Sequence, residues 1–251
     1  SATVHFPIWH QEIEDILVLK NNKGTEDNRV RKLDYSIQMS KIFYERFIKD
    51  EEITLFSPNN APGLYEAFGM PEFDELYTKY EKDKKIPKKK IRAQELIMDL
   101  LKERAETGRI YIMNIDHCNT HSSFKDKVYM SNLCQEITLP TKPIQHIDDS
   151  QGEIALCILS AINLGLIKEK DELEELCDLS VRALDEIIDY QEYPVQAAKI
   201  STEARRSLGI GYIGLAHFLA KNKVKYDDKQ ALKLVDEITE AFQYYLLKAS
   251  N

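Results

Sequence analysis

The stretch KKKIRAQELIMDLLKERAETGRIYIMNI, residues 88–115, carries the local pattern that decides the fold class. Its apolar residues recur at three- and four-residue spacing, which predicts an amphipathic helix over residues 88–107. Gly108 is a suitable residue to end that helix, and the apolar run at residues 110–115 is typical of a strand. A helix that leads directly into a strand indicates an α/β fold.

The rest of the chain shows the same alternation. We predict further helices over residues 35–49, 71–82, 171–189 and 227–248, and a second strand over residues 154–158. Strands that alternate with amphipathic helices favour parallel pairing. Because no internal repeat and no Gly/Ser-rich linker interrupts the chain, we expect one helix-rich unit over residues 1–251.

The composition limits the classes of protein to which the chain can belong. A chain of 251 residues with 43% hydrophobic residues can bury a core without disulfides or metal. The net charge of -8 disfavours a nucleic-acid polymer as partner, and the longest apolar run, residues 154–167, is too short to cross a membrane. Four cysteines are too few for a disulfide scaffold, so we expect a reducing, cytoplasmic setting. A lysine run at residues 82–90 fits a solvated turn better than an anion site.

Two motifs have both a functional and a structural interpretation. Gly209, Gly211 and Gly214 match the dinucleotide fingerprint, with Asp227 and Asp228 at the expected distance, but no apolar strand precedes them. The favoured alternative is that these glycines allow close packing where a strand turns into a helix.

The second such motif, DHCNTH at residues 116–121, offers two imidazoles and a thiol that zinc could use. No further Cys or His pair completes four ligands, so a polar loop whose side chains bond to the backbone is favoured.

A third motif, SNLCQEITLP at residues 131–140, has chemistry-bearing side chains at every second position. In an extended segment Asn132, Cys134 and Glu136 would point to one side. A carboxylate can accept a proton from a hydroxyl, an amide can orient that hydroxyl, and a thiol can act as nucleophile or redox centre. These groups suit a polyol substrate. The alternative interpretation is structural, with Cys134 as a cysteine that only packs in the core.

This third motif resembles the finger-loop motif Asn-Leu-Cys-x-Glu of the large (α) subunit of class I ribonucleotide reductases. Other stretches look like the same family's catalytic region, in chain order PIWH (7–10), LKNN (19–22), TLFSP (54–58), PGLY (62–65), TGRIYI (107–112), DHCNTH (116–121), LPTKP (139–143), GEIALC (152–157), RRSLGIG (205–211) and YYLLKAS (244–250). The resemblance covers essentially the whole chain. It implies that the glycine triplet and the His/Cys motif belong to the barrel scaffold.

The resemblance implies a ten-stranded α/β barrel, built from two five-stranded parallel halves, with a finger loop through its centre. This chain would be the middle segment of that barrel. By resemblance Cys134 becomes a transient thiyl radical that removes the 3′ hydrogen of a ribonucleotide, Glu136 accepts the 3′-hydroxyl proton, and Asn132 binds the sugar hydroxyls. Cys157 matches one of the two thiols that protonate the departing 2′-hydroxyl and supply two electrons.

The same resemblance implies reduction of ribonucleoside diphosphates to 2′-deoxyribonucleoside diphosphates for DNA precursor synthesis. Its implied partners are a radical-generating small (β) subunit that holds the metal, a thioredoxin or glutaredoxin system, the remaining segments of the large subunit, and a second large subunit. No cofactor or metal is expected on this chain, and nucleotide effectors are expected in the family's N-terminal region.

The resemblance also leaves the activity of the isolated chain open. The family's phosphate-binding loop and the disulfide partner of Cys157 are not matched here, and neither Cys118 nor Cys177 fits that partner's motif. The isolated chain is therefore expected to be inactive, and the alternative is a non-catalytic nucleotide-binding or assembly fragment. If the chain is catalytic, Asn132, Cys134 and Glu136 should line one side of an extended tip, with Cys157 facing the same cavity and not bonded to Cys134.

Overall fold

The computed structural model describes residues 2–169 and 171–251. Their elements form two compact units, Ser1–Thr141 and Lys142–Asn251. The single unit expected over residues 1–251 stays a prediction. None of the helices in the described ranges is long and apolar enough to cross a membrane.

The first unit alternates strands and helices. In chain order its elements are β1 (Thr3–Pro7), α1 (Ile13–Leu17), β2 (Asp34–Met39), α2 (Lys41–Lys49), β3 (Glu52–Leu55), α3 (Leu64–Ala67), α4 (Phe73–Lys82), β4 (Lys89–Arg92), α5 (Ala93–Thr107), β5 (Ile110–Asn114) and α6 (Ile115–Thr120). Strands β1, β2 and β5 pair in that order as a parallel sheet, and β3 pairs with β4 antiparallel. Parallel pairing of sequence-distant strands confirms the α/β class.

The parallel sheet has one apolar and one polar face. Side chains alternate along a strand, so Phe6 and Ile37 share the face that packs into the core with helices α2 and α5. The opposite face carries Thr3, His5 and, although they are buried, Ser36 and Gln38. Buried polar side chains need hydrogen-bond partners, and Ser36 and Gln38 obtain theirs from the segment described below as the finger loop.

Strand β2 corrects the helix predicted over residues 35–49. Residues 35–39 alternate apolar and polar side chains with a period of two, which is the period of a strand. The helix begins only at Lys41, whose backbone N–H donates to Asp116 Oδ2 at 2.8 Å. The carboxylate thereby satisfies one of the open donors at the helix start.

Two other boundaries also differ from the prediction. The helix expected from residue 88 begins at Ala93, because Lys89–Arg92 pairs with β3 as strand β4. In the second unit the strand expected at residues 154–158 begins at Ile158, because the Ile154 N–H donates to Ala197 O at 3.1 Å instead of joining the sheet. The end of α5 at Gly108, which has φ +65°, is confirmed.

The lysine run is less uniformly solvated than predicted. Lys88 is half-buried, and its Nζ donates to the carbonyls of Tyr80, Glu81 and Asp83 at 2.6–2.9 Å, at the C-terminal end of α4. The neighbouring lysines 84, 85, 89 and 90 are exposed.

The second unit is a two-stranded parallel sheet with helices on one face. Its elements are β6 (Ile158–Asn163), α7 (Glu172–Tyr190), α8 (Gln196–Arg205), β7 (Leu208–Ile213), α9 (Leu215–Lys221) and α10 (Lys229–Ser250), which confirm the helices predicted near residues 171–189 and 227–248. Helices α7 and α10 pack on the sheet through a core that contains Cys177, which is fully buried. Burial raises the pKa of Cys177 to about 11, as expected for a cysteine that only packs.

Candidate active site

Residues 129–139, which we call the finger loop, lie across the polar face of the sheet β1–β2–β5. Thr3 Oγ1 donates to Leu133 O at 2.6 Å, and Gln38 Nε2 donates to Tyr129 O at 2.6 Å. Ser36 Oγ donates to Gln135 Oε1, and Gln135 Nε2 donates to Ile112 O at 2.8 Å. The finger loop is therefore attached by hydrogen bonds to the polar face of the sheet.

The tip of the finger loop is a turn, and the extended tip predicted from the sequence is wrong. The Gln135 N–H donates to Asn132 O at 3.2 Å, which closes a turn over four residues, and Gln135 has φ +62°. Side chains in such a turn do not alternate as they do in a strand. The side chain of Gln135 reaches the sheet from this turn.

Asn132 helps to close the loop. Its Oδ1 accepts hydrogen bonds from Ile137 N and from Ser131 Oγ, both at 3.2 Å. Its NH₂ group makes no hydrogen bond to any described residue. One half of the amide thus fixes the loop, and the other half can donate to a ligand.

Cys134 and Glu136 flank Gln135 and are both exposed. Cys134 is a thiol, and neither side chain forms a hydrogen bond or an ion pair within the part of the chain that the structure describes. A thiol and a carboxylate therefore stand two positions apart on the exposed side of the loop.

A cavity of about 440 Å³ lies beside the finger loop, at the carboxyl end of strand β5. Ligands of α/β proteins bind at the carboxyl ends of strands, and this volume is within the usual range for small-molecule sites. Its lining residues are Ile112, Met113, Asn114, His117, Cys118, His121, Gln135 and Thr138. Of the finger loop, Gln135 and Thr138 therefore contribute to the wall, whereas Asn132, Cys134 and Glu136 do not.

The DHCNTH motif forms the short helix α6 and holds the scaffold together. Asn119 Nδ2 donates to Ile115 O at 2.9 Å and to Val128 O at 3.0 Å, and its Oδ1 accepts from Val128 N at 2.8 Å. Side chains bonded to backbone confirm the structural interpretation, although on a helix rather than the predicted loop. No three His, Cys, Asp or Glu side chains come together as a metal site anywhere in residues 2–169 or 171–251.

The glycine triplet also has the structural role. Gly209 and Gly211 lie on β7, and Gly214, with φ +77°, precedes α9. A Cβ on Gly209 would closely meet only the end of the exposed Leu159 side chain, and a Cβ on Gly211 would meet nothing within 4 Å. The strand-to-helix turn that the packing alternative predicts is confirmed at Gly214, where φ is positive and a Cβ would meet Asn163 Oδ1.

Cys157 belongs to the second unit, where it is a half-buried thiol immediately before β6. Nearby, the buried carboxylate of Glu153 pairs with Lys142 and with Arg205, and its backbone forms a bridge to Lys142. These contacts fix the chain just ahead of Cys157. That Cys157 and Cys134 face one cavity stays a prediction.

The residues that attach the loop to the sheet were not predicted from the sequence. Gln135 occupies the variable position of the motif, and Ser36 and Gln38 lay within a predicted helix. The available signal was the period-two alternation of residues 34–39, which marks a strand with one polar face.

Comparisons with known proteins agree along the whole chain. The family model described as "Ribonucleotide reductase, barrel domain" matches residues 1–251. The chain is 60% identical over 255 positions to the ribonucleoside-diphosphate reductase subunit alpha of Haemophilus influenzae, and 56% identical over 256 positions to the ribonucleoside-diphosphate reductase 1 subunit alpha of Escherichia coli. It is 45% identical over 258 positions to the corresponding subunit of Enterobacteria phage T4.

Each alignment covers all of this chain but only 33–34% of the relative. The chain thus spans about a third of the length of the curated relatives it matches. The parallel α/β elements, the finger loop and the family match over residues 1–251 lead to one conclusion: the chain belongs to the ribonucleotide reductase barrel-domain family.

Proposed function

We propose that this chain is the catalytic segment of a ribonucleoside-diphosphate reductase large subunit. Its substrate is a ribonucleoside diphosphate, and its product is the 2′-deoxyribonucleoside diphosphate. The observation that supports this proposal most directly is the finger loop, which presents Cys134 and Glu136 on its open side.

The first half of the reaction uses the finger loop. Cys134, as a thiyl radical, removes the 3′ hydrogen atom, so its S–H bond forms as the C3′–H bond breaks. Glu136 accepts the proton of the 3′-hydroxyl, and the NH₂ group of Asn132 orients a sugar hydroxyl. Holding these groups at hydrogen-bond distance from one ribose supplies the proximity that the reaction needs.

The second half needs two electrons and a proton for the leaving group. Of the pair formed by Cys157 and a second thiol, one protonates the 2′-hydroxyl, which leaves as water, and the other gives its hydrogen to C2′; the two sulfurs supply two electrons and end as a disulfide. Glu136 returns its proton to the 3′ oxygen. The hydrogen atom on Cys134 then returns to C3′ and regenerates the thiyl radical. One ribonucleotide and two thiols thus give one deoxyribonucleotide, one water and one disulfide.

The proposed partners follow from these requirements. A small (β) subunit supplies the one-electron oxidation of Cys134 from its metal centre, a thioredoxin or glutaredoxin system reduces the disulfide, and other segments of the large subunit bind the phosphates and effectors. The proposal also includes a homodimer of large subunits. Because the cycle depends on reduced thiols, we place the protein in the cytoplasm.

The test is a chimera in which this chain replaces the matching third of the H. influenzae alpha subunit, assayed with the small subunit for deoxynucleotide formation. We expect turnover from the chimera and none from its Cys134→Ser variant, because a hydroxyl cannot replace a sulfur that is oxidised in each cycle. Cys177→Ala, which removes a thiol that only packs in the core of the second unit and lies outside the cavity lining, is the control and should keep most of the activity.

Two results would contradict the proposal. Substantial turnover by Cys134→Ser would remove Cys134 from the mechanism. A folded chimera that binds ribonucleoside diphosphate but never reduces it would favour the alternative of a non-catalytic binding fragment.

A further inference from the structure

We propose that Gln135 is a positioning residue that fixes the finger-loop tip, and with it the directions in which Cys134 and Glu136 project. The structural part of this proposal is independent of the proposed function, and only its catalytic consequence rests on that function. Nothing in the Asn-Leu-Cys-x-Glu motif requires a glutamine at this position.

The backbone of Gln135 is in a conformation that must be held in place. Its φ of +62° lies in the left-handed region, which residues with a Cβ rarely adopt. Such a conformation persists when the surrounding structure determines it. The turn bond from Gln135 N to Asn132 O supplies one constraint, and the side chain supplies the others.

The side-chain amide of Gln135 joins the loop to two strands at once. Its Oε1 accepts from Ser36 Oγ on β2, and its Nε2 donates to Ile112 O on β5 at 2.8 Å. The Ile112 carbonyl can only accept a hydrogen bond, so a flipped amide would place Gln135 Oε1 next to Ile112 O, and the two oxygens would repel each other. The two contacts therefore fix the amide in one orientation.

The other attachments of the loop to the sheet hold only its N-terminal part. Thr3 and Gln38 bind the backbone carbonyls of Leu133 and Tyr129, both before Cys134. Between Cys134 and Glu136 the side-chain contact to the sheet comes from Gln135. Because Gln135 turns toward the sheet, its two neighbours are left on the exposed side.

Hydrogen exchange on the full 251-residue chain tests the positioning role. In Gln135→Leu, which keeps the size but removes both hydrogen bonds, we expect the amides of Gln135 and Ile137 to exchange at least tenfold faster. Amides of β2 and β5 should keep their rates within twofold. The matched control is Gln94→Leu, because the Gln94 amide also donates to a backbone carbonyl, Phe47 O at 3.4 Å, but lies on α5 away from the loop.

Gln135→Glu gives a signature that general destabilisation would not produce. A neutral glutamic acid can accept from Ser36 and donate to Ile112 O, whereas an ionised one can only accept. Measured against the parent at each pH, exchange at Ile137 should be fast at pH 7.5 and should return toward the parent rate as the pH falls through the pKa of the new carboxyl. Gln135→Leu should show no such recovery.

Turnover of the chimera tests the catalytic consequence. In Gln135→Leu we expect kcat to fall at least tenfold, because the reacting groups are misdirected, and KM to change much less, because leucine keeps the size of the side chain in the cavity wall. Unchanged exchange at Ile137, or equal acceleration across β2 and β5, would overturn the positioning role. If the unmodified chimera is inactive, the proposed function fails, and the exchange experiment still decides the role of Gln135.

Discussion

At the scale of single residues, Glu136 and Cys157 perform different parts of the proposed reaction, so their replacement should have different effects. Glu136→Gln keeps the shape of the side chain but removes the proton acceptor. We expect the rate of reduction in the chimera to fall by about 10²–10⁴, as is usual when a general base is lost. Single-turnover assays should still show the disulfide forming in proportion to the product.

Cys157→Ser should instead remove the disulfide itself. Radical chemistry on the sugar could begin but would lack its two-electron donor, so we expect substrate breakdown in place of deoxynucleotide. Thiol titration after substrate addition measures the difference between the two variants. If Cys157→Ser still consumed two thiols per product, the assignment of Cys157 would be wrong.

At the residue scale, local patterns indicate candidate site residues but miss contacts that depend on the fold. The spacing of Asn132, Cys134 and Glu136 was enough to select them as candidates. Gln135 was not selected, because its partner Ser36 lies 99 positions away and faces the loop only once β2 exists. A contact of that kind is set by strand pairing, which a local pattern does not specify.

At the scale of secondary-structure elements, the hydroxyl of Tyr77 joins helix α4 to the backbone of β3 at Thr54. It donates to Thr54 O and accepts from Thr54 N, both at 2.8 Å, and it is fully buried. Burial, followed by the charge of Glu81, raises the pKa of this hydroxyl, so it stays protonated in its bridging role.

We therefore predict that Tyr77→Phe lowers the free energy of unfolding of the first unit by about 1–3 kcal/mol, because two buried backbone groups lose their partner. Urea unfolding followed by fluorescence of Trp9, the one tryptophan, reports on this unit. The matched control is Tyr80→Phe on the same helix, whose hydroxyl donates to Pro62 O near the surface and whose loss should cost roughly 0.5 kcal/mol. Equal effects of the two variants would contradict the bridging role.

Among the elements, the long amphipathic helices and the short strand β5 were predictable, whereas the short strands β2 and β4 were not. The helices α4, α7 and α10 carry enough apolar repeats to determine their period. Strands β2 and β4 are 6 and 4 residues long and run directly into helices, so their pattern merged with that of the next element. Their pairing partners, and not their own residues, decide where they end.

At the scale of the whole molecule, stability should depend on pH through Glu153. Burial alone would raise the pKa of this carboxyl, but hydrogen bonds and charges from Lys142 and Arg205 outweigh it and hold the pKa below its ordinary value of 4.5. A carboxyl whose pKa is lowered by folding contributes stability above its unfolded pKa, and this contribution is lost as the pH falls through the folded pKa.

We predict that Glu153→Gln lowers the free energy of unfolding by roughly 3 kcal/mol at pH 6, because a buried pair is broken. The difference from the parent should shrink as the pH falls below the ordinary value of 4.5, as measured by urea unfolding with circular dichroism. Glu203→Gln, which removes an exposed partner of Lys199, is the control and should change stability by less than about 0.5 kcal/mol at any pH. A difference for Glu153→Gln that stays constant from pH 6 to pH 3 would contradict the assignment.

The architecture of the whole molecule was predictable mainly because the resemblance extends along the whole chain. Alternating strands and helices indicated parallel α/β pairing, and the sheets β1–β2–β5 and β6–β7 are parallel. Closure of a ten-stranded barrel involves more strands than those named here, and no local pattern in residues 1–251 could supply it. The barrel-domain assignment therefore depends on the family.

The position of Lys88 at the end of helix α4 has a consequence for chemical and enzymatic acylation. Its ammonium group gives its protons to three carbonyls, whereas Lys84 and Lys85 stand in solvent. An acylating reagent or an acetyltransferase should therefore modify Lys84 and Lys85 readily and Lys88 last. Once acetylated, Lys88 would keep a single N–H donor for the three carbonyls, so this modification should loosen the final turn of α4, whereas acetylation of Lys84 or Lys85 should leave that turn unchanged.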